Sequence, residues 1–390
     1  MNKSNLKQKL IPVFRPNYTN EEVNFLSKVL KSGWIGLGPK TEEFEMLFAN
    51  YLGASHAVAV NSATAALHLA LIVAGVKEND EVIIPSLTFV STAHVIRYLN
   101  ATPIFADIEE DTLCISPKDV EKKITKKTRA IIPVHYGGHP CDMDKLQKIA
   151  KKHGLTIIED ASHACGSVYK KRKIGSISPI TCFSFHAVKN LATGDGGMIT
   201  VRDGKTAQRL KRLRWMGINK DTWDRLEDIS EGENKSFRIY GWHYEINEIG
   251  YKYHMNDINA ALGIVQLRKL EASNKKRRKL AERYTKYLGR IPQIKCPVLK
   301  ANILSAQHNY VIRTKDRDKL HIFLRDRNIS SGVHYMPLHL QPYYRKLYPR
   351  VKLPIVEREW RKLLTLPLYP DLTLKDQDYI ISTIRKFYER

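Results

Sequence analysis

Between about residue 56 and residue 201, short apolar runs alternate with stretches in which apolar residues recur at helical spacing. The runs cover 56–60, 81–84, 103–107, 130–135, 155–160, 180–185 and 198–201, and helical patterns at 63–74, 90–99 and 143–153 lie between several of them. Strand and helix in alternation predict a mostly parallel sheet covered by helices on both faces. The stretch 202–250 is polar, carries Trp215, Trp223 and Trp242, and includes an expected mobile loop at 228–235. Two long helical patterns at 256–271 and 275–287 then lead the chain away, and from about Cys296 a smaller α+β unit is expected around 308–313, 316–327 and 376–388. The expected division is a large α/β domain over 1–265, whose segment 1–30 can pack with the other domain, and a small α+β domain over 266–390.

Composition narrows the class. With 390 residues and 43% apolar content the chain can bury a large core. No apolar run reaches the ~18 residues of a membrane span, and no long apolar stretch follows the basic residues near Met1, so a cytoplasmic protein with no membrane partner is expected. Five cysteines, Cys114, Cys141, Cys165, Cys182 and Cys296, contain no C-x-x-C pair and are expected as reduced thiols. His135, His139, Cys141 and Asp142 are close in sequence, but Pro140 and neighbouring glycines place them in a loop, and no metal is expected. The formal charge of +24 invites a nucleic-acid reading. Its lysines and arginines are spread over helical patterns without a recognition motif, so solvated faces account for most of it. A field attracting an anionic small substrate is a further consequence, and no specific nucleic acid is expected.

Lys189 is the strongest chemical signal. It lies in Ser184-Phe-His-Ala-Val-Lys189-Asn, after an apolar strand and before the glycine-rich Gly194-Asp-Gly-Gly197. An amine there can condense with an aldehyde cofactor. Ile157-Ile158-Glu159-Asp160 ends another strand in a carboxylate, suited to keep a pyridine nitrogen protonated. Asn61-Ser62-Ala63-Thr64 carries a strand into a helix whose first N–H groups can bind phosphate, with Ser184 as a further hydroxyl. Amine, carboxylate and helix start together point to pyridoxal 5'-phosphate. Ser62, Asp160 and Ser184 each fall at a strand end, where ligands of such sheets gather. Phe89 either stacks on the cofactor or belongs to the core. His163 lies either near the cofactor's phenolic oxygen or in the substrate path, or is a satisfied loop residue.

These residues resemble the DegT/DnrJ/StrS sugar aminotransferases, of fold type I. The resemblance runs from about Pro12 to the C-terminus and also includes Ser32-Gly-Trp34-Ile-Gly-Leu-Gly-Pro39, the segment from Gly250 to Gly263, and Gly332-Val-His334-Tyr335-Met-Pro-Leu-His339. It implies transamination of a nucleotide-diphosphate ketosugar with L-glutamate as donor, and a homodimer with shared active sites. In that arrangement Lys252 reaches the phosphate of the neighbouring subunit's cofactor; many relatives have asparagine there. Lysine at 252 and the Ser-Phe-His-Ala motif resemble the branch that acts on a UDP-4-keto-pentose, which favours a C4 over a C3 ketone. Some relatives act as sugar 3-dehydratases with histidine in place of the catalytic lysine, which Lys189 opposes, and others have been described as regulators. The expected sugar-binding candidates are His334, Tyr335 and His339, with Trp34 and Lys252, each either a substrate contact or packing.

Overall fold

The computed structural model describes residues 10–220 and 243–389. The expected loop at 228–235, with Trp223 and Trp242, lies outside the described residues. The chain opens with α1 (Asn20–Lys31) and α2 (Pro39–Leu52). It continues through β1 (His56–Val60), α3 (Ala63–Val73), β2 (Glu81–Pro85), α4 (Ser91–Tyr98), β3 (Thr102–Ala106), α5 (Pro117–Lys122), β4 (Thr128–Ile131), α6 (Met143–His153) and β5 (Thr156–Asp160). A small hairpin, β6 (Val168–Tyr169) and β7 (Arg172–Lys173), precedes β8 (Ile180–Ser184), β9 (Gly197–Val201) and α7 (Gly204–Arg214). The long α8 (Asp257–Leu288) leads to β10 (Ile303–Leu304), β11 (Tyr310–Arg313), α9 (Arg317–Arg325), α10 (Pro342–Leu347), α11 (Pro354–Glu359), β12 (Leu363–Leu366) and α12 (Leu374–Tyr388).

Seven strands form the main sheet in the order β1-β9-β8-β5-β4-β2-β3. Neighbours are parallel from β8 through β5, β4 and β2 to β3, whereas β9 runs antiparallel to both β8 and β1. Strands β8 and β9 are buried at all five positions each, which is why they read as unbroken apolar runs. The mostly parallel sheet with helices is the expected α/β architecture.

Two hydrophobic clusters lie along the chain, one around the main sheet and one built from the end of α8, β11, β12, α9 and α12. The patterns at 256–271 and 275–287 are one helix of 32 residues, not two. The gap between the two patterns, 272–274, contains Ser273 and Asn274, which are weaker helix formers than alanine or leucine. In the fold Asn274 is buried and uses its side chain on Asn190 at 2.7 Å and the Cys165 carbonyl at 3.0 Å, so tertiary bonds override local propensity. The helix joins both clusters: Ile264 and Leu270 belong to the first, Leu280 and Tyr284 to the second. On this packing we propose that the domains meet within α8, the helix in which the expected boundary at 265/266 also falls. Ile11 packs into the second cluster and bridges Ile329, while α1 is tied to α8 through Gln266, which donates to Glu22 at 2.6 Å.

The edge strand β1 is clamped by a buried ion pair. Glu45 on α2 accepts the Ala59 N–H at 2.8 Å, and Arg214 at the end of α7 bonds both Glu45 and the Ala59 carbonyl, the latter at 2.8 Å. Replacing Arg214 leaves the buried Glu45 with only the partly exposed Lys211, 3.7 Å away. Arg214→Met should therefore cost about 3–5 kcal/mol in denaturant unfolding, and the double variant with Glu45→Met should cost less than the sum of the singles.

Candidate active site

The cavity of about 350 Å³ at the strand ends is lined by Ser62, Ala63 and Thr64, by Phe89, by Asp160 and His163, by Ser184 and Lys189, and by His334 and Tyr335. Ten of the sequence candidates thus meet in one place. Ser62 closes β1 and caps α3: its Oγ accepts the Ala65 N–H at 3.1 Å and its carbonyl the Ala66 N–H at 3.0 Å. The N–H groups of Ala63 and Thr64, earlier in the turn, have no intrahelical carbonyl and remain for an anion. A second helix start faces the first, with Ser91 Oγ 2.7 Å from Thr64 Oγ1.

Asp160 ends β5 and is 4% exposed. Its Oδ1 accepts the Ser162 N–H at 3.1 Å and its Oδ2 accepts the Thr92 hydroxyl at 3.0 Å. Thr92, having donated to the carboxylate, accepts from Thr88 at 2.9 Å. Thus each carboxylate oxygen is oriented by a fixed donor. Thr88, Ser91 and Thr92 were missed as site residues, although a strand running into a hydroxyl-bearing helix start is the signal that had identified Ser62 to Thr64.

Lys189 sits in a turn beyond β8, where its own N–H donates to the His186 carbonyl at 2.8 Å. Burial pushes its ammonium down to about 8, with Asp160 opposing. The side chain is half-buried and borders the cavity. Backbone bonds fix the turn, from Thr193 N–H to Phe185 O and from Phe185 N–H to Gly196 O, both 2.8 Å.

One wall is aromatic and imidazole. His163 accepts the Gly137 N–H on Nδ1 at 3.3 Å, so the proton of the neutral ring lies on Nε2, 3.3 Å from the Tyr335 hydroxyl. Burial, then Lys189 and His334, hold His163 well below the usual imidazole range. His308, another residue the sequence reading missed, packs 4.4 Å from His163 and is lowered in the same way by burial and Lys189. His334 is pushed down to about 4 by burial and Lys189, and bonds Thr365 at 2.8 Å. Phe89 is 57% exposed with its ring 6.0 Å from that of Tyr335, so it faces the cavity rather than the core.

Three candidates stand elsewhere. His339 is buried between Ser86 Oγ at 2.6 Å and Glu357 at 3.1 Å, a structural link outside the cavity lining. Trp34 donates its indole N–H to the Leu37 carbonyl at 3.0 Å and does not line the cavity of its own chain. Lys252 also lies outside that lining, with its ammonium 3.6 Å from the centre of the Trp215 ring. Both nitrogens of His135 serve the fold, bonding Glu159 at 2.7 Å and the Cys141 N–H at 3.0 Å. Among the described residues no group of three potential ligands could hold a metal ion.

The cavity fits pyridoxal phosphate. A Cβ on Gly197 would stand 2.6 Å from the Ser62 carbonyl carbon and oxygen and 2.8 Å from Ala63 N, so β9 approaches the anion cup as closely as a bare backbone permits. The donor set matches too: backbone N–H groups at a helix start, a fixed carboxylate and an amine lowered to about 8 in one cavity.

The profile of the DegT/DnrJ/EryC1/StrS aminotransferase family matches residues 16–385. The chain is 42% identical over 384 residues to the spore coat polysaccharide biosynthesis protein SpsC of Bacillus subtilis, covering 96% of each. A Streptococcus pneumoniae protein described as a sugar aminotransferase, in its PLP form, superposes with a TM-score of 0.88 at 32% identity over 97% of this chain and 99% of that one. PseC of Helicobacter pylori, an aminotransferase of pseudaminic acid biosynthesis, superposes with a TM-score of 0.89 at 29% identity over 98% of this chain and all 100% of its own.

The lowered Lys189 makes a stability prediction for the cofactor-free protein. Between about 8 and the unfolded lysine value of 10.5 the unfolded state binds more protons, so stability rises with pH across that window and the cost of the buried charge is fully present below it. Lys189→Met removes the cost. The variant should melt above the wild type at pH 7, with the difference shrinking as pH climbs from about 8 to 10.5.

Proposed function

The chain belongs to the DegT/DnrJ/EryC1/StrS aminotransferase family, as a pyridoxal-phosphate-dependent sugar aminotransferase, and from that premise we propose that its acceptor is a nucleotide-diphosphate 4-ketosugar. L-Glutamate is the proposed donor, and the product is an aminosugar nucleotide for a surface polysaccharide or glycan. The observation that carries the reading is the meeting of Lys189, Asp160 and the α3 start in one cavity. When bound, pyridoxal phosphate supplies an aldehyde that takes up an amino group and a ring that draws electrons from the adjacent C–H bond.

The chain's own residues then divide the work. Ala63 and Thr64 N–H groups, with Ser62 and Ser184, bind the phosphate. The Asp160 carboxylate holds a proton on the pyridine nitrogen, and Phe89 lies against the ring. Lys189 Nζ, near neutrality in its pH range, takes the proton from the donor Cα and later returns one to the sugar carbon. His163 bounds the reacting side, and His334 and Tyr335 contact the sugar. Lys252, outside its own chain's cavity, is proposed to serve the neighbouring subunit of a homodimer. We place the enzyme in the cytoplasm, where its free cysteines remain reduced. Among the described residues no helix is long and apolar enough to cross a membrane.

The direct test incubates the purified enzyme with glutamate and UDP-, GDP- and dTDP-linked 4-ketosugars beside matched 3-ketosugars, with products read by mass. Conversion confined to the 3-keto series removes the C4 assignment. For the shared site, subunits carrying Lys189→Ala are mixed with subunits carrying Lys252→Ala. If Lys252 acts across the interface, one site of the mixed dimer collects both defects and the other is intact, so activity should return to impaired proteins on subunit exchange. Exchange without recovery returns Lys252 to its own subunit.

A further inference from the structure

Lys252 lies on a short extended segment laced to the chain on both edges. Its carbonyl accepts the Asn61 side-chain N–H at 3.2 Å, Tyr253 O accepts the Asn61 backbone N–H at 2.7 Å, and His254 bridges Val60. On the other edge Met216 N–H donates to Tyr251 O at 3.0 Å and Tyr253 N–H to Arg214 O at 2.9 Å. The segment is thereby fixed between the Ser62 turn and the end of α7. Trp215 faces Lys252 across an antiparallel bridge, and residues so paired carry their side chains on the same face. The ammonium rests 3.6 Å from the indole centre, and the His254 ring meets the same indole edge-on at 4.6 Å.

Among the described residues the acids nearest this cation are already paired. Glu248 is taken by Arg209 at 3.0 Å and Arg212 at 3.8 Å, and Glu45 by Arg214. Among the described residues no carboxylate pairs with Lys252, although its side chain is exposed. His254 is pushed down to about 4 by burial, then by Lys252 and Arg214, so it does not compete as a second cation. A lysine stem is flexible, and an ammonium left in water samples many rotamers. The indole face holds it in one place while its outer side remains open.

We propose that Trp215 is a positioning residue for Lys252, presenting its ammonium to the phosphate of the cofactor bound in the neighbouring subunit. The proposal rests on the reading of Lys252 given above. It requires that Trp215 act on phosphate affinity and act only through Lys252.

The test titrates cofactor-free dimer with pyridoxal phosphate and, separately, with pyridoxal, read by absorbance, in Trp215→Leu, Trp215→Phe, Lys252→Ala and the Trp215/Lys252 double variants. Trp215→Leu should weaken pyridoxal phosphate binding about tenfold and Trp215→Phe, whose ring keeps a weaker face, about threefold. Neither should alter pyridoxal binding, and neither should add to the loss in Lys252→Ala. Unchanged phosphate-dependent affinity overturns the proposal, as does an equal loss for pyridoxal or a full further loss on top of Lys252→Ala. Should Trp215→Leu not fold, the phenylalanine variant carries the same comparison. Wild-type affinity in Lys252→Ala would remove the role of Lys252 itself, whereas a loss there with no effect of Trp215 removes Trp215 alone.

Discussion

Two opposite charges share one cavity without closing on each other, and the rest of the site depends on that separation. Asp160 spends one oxygen on the Ser162 N–H and the other on Thr92, so its orientation is set by neutral donors. Lys189 feels the carboxylate only as a field, which raises its affinity for a proton but does not offset burial. Direct contact would satisfy both groups and fill the space between them. Held apart, the carboxylate can face a ring nitrogen while the amine faces the carbon beyond the ring's other end.

The sheet enforces this separation. Asp160 and Ser184 end the neighbouring parallel strands β5 and β8, while Lys189 lies five residues further, in a turn closed by Thr193, Phe185 and Gly196. The antiparallel β9 then returns directly against the Ser62 turn, and only glycine at 197 fits that approach. One backbone excursion thus sets the lysine and packs against the α3 start. The Glu45–Arg214 pair acts on the same edge, because both members bond Ala59 two residues before Asn61. Buried ionic cost in the core therefore holds the strand from which the anion cup hangs.

What the sequence made legible was local. Asp160, Ser184 and Ser62 to Thr64 each close a strand or open a helix, Lys189 follows one such strand by five residues, and these patterns can be read within a short stretch. Signals that depend on distant partners were not readable. His339 stands in the same aromatic and basic run as His334 and Tyr335, yet Ser86 and Glu357 consume its two nitrogens. The join at Ser273 and Asn274 read as a gap between two helical patterns because the partners of Asn274, Asn190 and Cys165, are far away in sequence. The direction of β9 was equally hidden, since a fully buried strand has the same apolar pattern whichever way it runs.

His308 and His334 are set by packing behind the cavity as well as by the site. Phe14, at the N-terminal edge, stacks on His308 at 5.4 Å and meets His334 at 5.5 Å, while Asn190 and Thr365 occupy one nitrogen of each. Apolar packing strips these imidazoles of water, and the nearby Lys189 adds repulsion, so both effects favour the neutral form. A wall of permanent cations would trap an anion and depress the lysine further. Neutral rings instead offer directed N–H and ring contacts without holding charge, so they add no fixed positive charge beside Lys189.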